Sequence, residues 1–123
     1  MSKRNVVHVE ITAVNVEAAS KFYTELFGWK MQHIPEMNYT MWEDGSGFGG
    51  GFTGPSDENP AGKVLVYIDS DDIEADLKKA VQLGGKMIHA KMEIPGSGWF
   101  GIFEDPDGNR LALYTSANPS FNK

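Results

Sequence analysis

The sequence predicts an α+β fold: two tandem βαβββ modules whose eight mostly antiparallel strands curl into an open cup, with the helices outside. Three observations predict it. An internal repeat runs through the chain, several segments alternate apolar and polar residues at strand period, and two segments carry apolar residues at helical period. Adding 57 to Val7, Val9, Ile11, Glu17, Ala18 and Lys21 lands on Val64, Val66, Ile68, Glu74, Ala75 and Lys78. With one residue dropped at the helix end, Lys30, Met31 and His33 map onto Lys86, Met87 and His89. The first module covers about residues 5–54, a Pro/Gly/Ser-rich linker about 55–62, and the second module about 63–116, all within a single domain spanning 1–123. A module of that size hides too little apolar surface to stand alone.

The elements follow in order. "VVHVEIT" alternates, with Val7, Val9 and Ile11 on one face and His8, Glu10 and Thr12 on the other. Asn15 is a helix N-cap, Val16, Ala19, Tyr23 and Leu26 form an apolar stripe widened by Phe22 and Phe27, and Gly28 ends the helix. "WKMQHI", "NYTMWE" and the glycine-diluted "FGGGFT" are strands. In the second half "VLVYID" is a strand. Asp71 with Glu74 reads as a capping box for a helix whose apolar face is Ile73, Leu77, Ala80 and Val81, closed by Gly84-Gly85. "KMIHA", "GWFGIFE" and "NRLALYT" complete the set. "DPDG", at 105–108, specifies a hairpin turn. Alternation sends Leu111 and Leu113 towards the helices, and Leu65, Tyr67, Arg110, Ala112 and Tyr114 into the concavity beside His8 and Glu10.

Composition narrows the function. The 123 residues carry a formal charge of −6 and no cysteine. Thiol chemistry and disulfides are excluded, a basic stripe for nucleic acid is missing, and a cytoplasmic location is expected. No apolar run approaches the roughly 20 residues of a membrane helix, and the N-terminus lacks a signal-peptide core. The G-x-G-x-x-G match at Gly45, Gly47 and Gly50 opens no helix and is not a dinucleotide fingerprint. His33 and His89 read as ordinary strand residues.

The duplicated βαβββ pattern, "HVEI" on the first strand, "FYTELFGW" at the end of the first helix and "FEDPDGNRLALY" together resemble the vicinal oxygen chelate superfamily of glyoxalases, extradiol dioxygenases and bleomycin-resistance proteins. The small bacterial proteins related to lactoylglutathione lyase look most similar. The resemblance implies a homodimer, and in metal-dependent members a divalent ion held by four strands, at positions that fall here on His8, Gly50, Leu65 and Ala112. Only His8 has a donor atom, so a complete metal site is not expected and a divalent cofactor is disfavoured. The expected function is metal-free binding of a small hydrophobic or aromatic molecule, a cationic one included. His8 and Glu10 are its polar anchors and candidate catalytic pair, with Arg110 as the expected partner of Glu10. Trp42, Phe48, Gly50, Leu65, Tyr67, Trp99, Arg110, Ala112 and Tyr114 are expected to line the ligand site. Two alternatives stay open: a divalent-metal-dependent lyase, isomerase or dioxygenase, and a non-catalytic interaction module with a collapsed cup.

Overall fold

A computed structural model describes residues 4–57, 59–60 and 62–117. Among these the chain is α+β, with strands β1 (Val6–Thr12), β2 (Lys30–Ile34), β3 (Tyr39–Glu43), β4 (Gly49–Thr53), β5 (Val64–Asp69), β6 (Lys86–Ile94), β7 (Gly98–Glu104) and β8 (Arg110–Ser116). Helix α1 (Val16–Phe27) follows β1 and helix α2 (Ile73–Gln82) follows β5, which is the tandem βαβββ order read from the repeat. No described helix is long and apolar enough to cross a membrane. The described residues form two compact units, one within 8–65 and a second made of 4–7 with 66–117.

In the first unit the strands lie in the order β2-β3-β4-β1. β1 and β4 are parallel, with Val9 opposite Gly50 and Glu10 opposite Gly51. The other pairs are antiparallel, with Trp42 opposite both Gly50 and Met31. Partners across a ladder point the same way. Val9, Gly50, Trp42 and Met31 therefore share one face, and Glu10, Gly51 and Met41 the other. The first face is covered by α1: Ala13, Trp42 and Phe52 are its buried centre, with Val9, Ile11, Val16, Ala19, Tyr23, Trp29, Met31 and Phe48 packed around them. Asn15 caps α1 by accepting from the Ala18 N–H, and Gly28 ends it at φ 76°. The apolar stripe is narrower than expected. Phe22, Leu26 and Phe27 are each 58% exposed, because only the Val16–Ala19–Tyr23 edge reaches the sheet.

In the second unit the order is β5-β8-β7-β6, with β5 and β8 parallel. Ile73 and Leu77 of α2 pack on Leu113, Ile68, Phe103 and Trp99. The N-cap is Asp72, which accepts from the Ala75 N–H, one residue later than the capping-box reading of Asp71. Either aspartate could start the helix. Asp72 does so because Ile73 must be the first helical residue to reach the core, where it is 1% exposed. At the β7–β8 turn, Gly108 sits at φ 92° and Asp105 accepts from the N–H groups of Asn109 and Asp107. Those bonds, Asn109's first, hold its carboxyl below the ordinary aspartate range.

A polar clamp ties the N-terminal segment to α2. Arg4 donates to both carboxylate oxygens of Asp76, which also accepts from Ser70 Oγ at 2.7 Å. Partial burial pushes the Asp76 carboxyl up, but the bonds from Arg4 and Ser70 and the Arg4 charge outweigh it and hold the group below its ordinary value. A carboxyl depressed in the folded state stabilises fully above its unfolded value, about 3.9, and loses that contribution as pH falls through the folded value. Asp76→Asn is therefore expected to flatten the acid side of a melting-temperature profile taken below about pH 5. Its cost at neutral pH stays below about 1 kcal/mol, because the Arg4 side chain is 59% exposed. An acid limb identical to that of the parent would contradict this account of the clamp.

Candidate functional site

β1 turns His8 and Glu10 to the sheet face opposite α1, and β3 turns Tyr39 to the same face, two residues along from Met41. The three side chains meet. His8 Nε2 lies 2.8 Å from the Tyr39 hydroxyl and 3.3 Å from Glu10 Oε2, and Tyr39 donates to Glu10 Oε2. The His8 and Tyr39 rings lie nearly parallel, at 25°. The His8 side chain is 24% exposed and that of Glu10 12%, so both sit where hydrogen bonds are strong and an unmade one is costly. An ionised glutamate is an acceptor only; Tyr39 supplies Glu10 with a donor, and His8 Nε2 lies within reach of the same oxygen.

Tyr39 reaches this place because β4 has no side chain there. A Cβ built on Gly51 would stand 1.7 Å from the Tyr39 hydroxyl oxygen. The sequence puts Tyr39 on the strand "NYTMWE" and assigns it no role in the site. The available signal was a glycine run facing a strand that alternates aromatic and polar residues, and it did not say which glycine faced which aromatic.

The other expected site residues divide. On β5, Leu65 is 3% exposed, and Tyr67 pairs with Ala112, which is fully buried and pairs in turn with Ile102. Arg110 Nε donates to Glu104 at 3.3 Å, and the Tyr114 hydroxyl bonds Ser97 Oγ at 2.8 Å. Trp42, Phe48 and Gly50 belong elsewhere. They lie in the core under α1, where Trp42 stacks on Trp29 at 4.2 Å and meets Phe48 edge-on at 6.4 Å. Trp99 packs on the α2 side, with Lys91 over its ring. These four are corrected from ligand wall to helix-side packing: strand pairing places Trp42, Gly50 and Trp99 on the face the helices cover, and Phe48 packs against the same cluster as Trp42. His33 bonds Thr40, and His89 bonds the Ala90 carbonyl.

The four positions at which the resemblance implies metal ligands do not fit a divalent ion. Gly50 is on the helix side. The β4 position beside Glu10 is Gly51, with no donor and with its space taken by Tyr39, and Leu65 and Ala112 are buried hydrocarbon. Among the described residues, no three His, Cys, Asp or Glu side chains come together as a set that could hold a metal.

Comparisons with known proteins agree with this architecture. A profile of the Glyoxalase/Bleomycin resistance protein/Dioxygenase superfamily matches residues 5–113. A glyoxylase-like domain-containing protein of Didymella fabae is 33% identical over 115 residues, covering 87% of this chain and 90% of that one. The anthracycline biosynthesis protein DnrV of Streptomyces peucetius is 25% identical over 122 residues, covering 85% of this chain and 44% of its own length. A crystal structure of a member of the same superfamily from Vibrio splendidus 12B01 superposes with a TM-score of 0.65 at 15% identity, covering 93% of this chain and 100% of that one. Methylmalonyl-CoA epimerase from Mycobacterium tuberculosis superposes at 0.67 with 13% identity, covering 100% and 95%. At such identities the structural likeness speaks for the fold alone.

Proposed function

The chain belongs to the glyoxalase/bleomycin resistance protein/dioxygenase superfamily, and from that membership we propose that it binds a small hydrophobic or aromatic molecule on the sheet face opposite α1, with His8, Tyr39 and Glu10 as the polar anchor. One observation carries the reading: three polar side chains converge on that face at hydrogen-bond distance. Binding sites combine apolar area with a few converging polar groups of this kind. The Streptomyces relative is named for anthracycline biosynthesis, and anthracyclines are flat fused-ring aromatics, which accords with such a ligand. Recognition runs through side chains, since the metal-ligand positions carry no adequate donor set.

A thermal-shift screen of planar aromatic compounds, anthracyclines among them, followed by calorimetric titration of the hits, tests this. His8→Ala and Glu10→Gln are expected to weaken a hit by about tenfold or more each, roughly 1.4 kcal/mol, with the fold retained. Treatment with a chelator is expected to leave the affinity unchanged. Binding that both variants retain in full would remove the cluster from the site. Binding lost on chelation and restored by Zn²⁺ would replace the reading with a metal-dependent one.

A further inference from the structure

We infer that Tyr39 is a positioning residue, holding His8 as an imidazole protonated on Nε2, and that Gly51 is glycine in order to admit the Tyr39 hydroxyl. This rests on the cluster being the functional face proposed above, but its test does not depend on any ligand. The proton count leads to it. An ionised glutamate donates nothing, and a tyrosine has one hydroxyl proton. That proton goes to Glu10 Oε2. The 2.8 Å contact between His8 Nε2 and the Tyr39 oxygen therefore needs its proton from the histidine, and the 3.3 Å contact of the same nitrogen with Glu10 needs it too. Nε2 carries hydrogen in either case, and in neutral His8 the basic lone pair is on Nδ1. Which ring nitrogen is basic decides what a histidine can do for a bound molecule.

The three glycines of β4 serve different ends. A Cβ on Gly49 would meet the Trp42 carbonyl oxygen at 2.2 Å, and one on Gly50 the Val9 carbonyl oxygen at 1.8 Å, so both contacts are with backbone. For a Cβ on Gly51 the three nearest atoms all belong to the Tyr39 side chain, with the hydroxyl at 1.7 Å, the ring carbon bearing it at 2.1 Å and a ring-edge carbon at 2.8 Å. Alanine at 51 can be accommodated if Tyr39 swings away, so it tests the hydroxyl's placement without touching strand pairing.

The experiment is nitrogen-15 NMR of the imidazole rings at about pH 8.5, where an ordinary histidine is neutral, with His8→Ala assigning the His8 signals. The parent is expected to show His8 as the Nε2–H form, with that proton protected enough from solvent exchange to be seen. Tyr39→Phe and Gly51→Ala are each expected to speed solvent exchange of that proton by about tenfold, since the shorter contact is lost and only the 3.3 Å contact with Glu10 remains. The double variant should add nothing further, because both act through one hydroxyl. Far-UV circular dichroism and melting curves keep loss of fold apart from loss of the bond, and if Gly51→Ala fails to fold, Tyr39→Phe decides. An Nδ1–H form in the parent, or an Nε2 proton whose exchange is unchanged in Tyr39→Phe, overturns the inference.

Discussion

Gly50→Ala is expected to cost about 3 kcal/mol or more, lowering the melting temperature by about 10 °C. The added methyl would stand 1.8 Å from the Val9 carbonyl oxygen, 2.8 Å from the Val9 carbonyl carbon and 2.8 Å from an edge carbon of the Trp42 indole. Two of those contacts are with the backbone of the strand that β4 pairs with, so relief requires β1 and β4 to part. At Gly51 the nearest atoms are those of a movable phenol, and the same substitution is expected to cost no more than a few degrees. The contrast between neighbouring glycines is the sensitive part of the experiment, since helix or strand propensity cannot account for it. Equal melting temperatures for the two variants would mean that the register of β4 against β1 is not Val9 opposite Gly50.

Trp42→Ala is expected to destabilise by about 3–5 kcal/mol in urea denaturation, the range for emptying a large aromatic from a core. Trp42 is 5% exposed and stacked on Trp29 within the cluster that α1 covers. Trp42→Phe should cost far less. It keeps most of the ring and removes an indole N–H that is buried with no hydrogen-bond partner among the described residues. A tryptophan lining a ligand site would show the opposite pattern, with a small change in stability and a large one in affinity. Retained stability in Trp42→Ala would return the residue to the ligand face.

These two residues mark where sequence reasoning reached its limit. "VVHVEIT" and "NRLALY" alternate cleanly, so their two faces can be told apart from residue type, and Val9 and Leu113 lie against the helices as expected. "FGGGFT" offers no side chains to alternate, and nothing in it says whether Gly50 or Gly51 stands beside Glu10. "NYTMWE" has an aromatic on each face, Tyr39 on one and Trp42 on the other, and hydrophobicity cannot rank them. Trp99 and Phe100 pose the same ambiguity on β7. In each case the choice was made by pairing with a neighbouring strand, which is a long-range contact. The Asp71–Asp72 slip is of the same kind: two adjacent caps are locally equivalent until Ile73 is placed in the core.

By itself the sequence determined the element order, the duplication, the helix-facing sides of β1 and β8, and the placing of His8 and Glu10 on the opposite face, because period-two alternation and local capping are properties of neighbouring residues. Only the tertiary structure decided that Tyr39 joins them and that Trp42, Phe48, Gly50 and Trp99 do not. That decision lies in the register between strands, where a shift of one residue exchanges the two faces of a sheet.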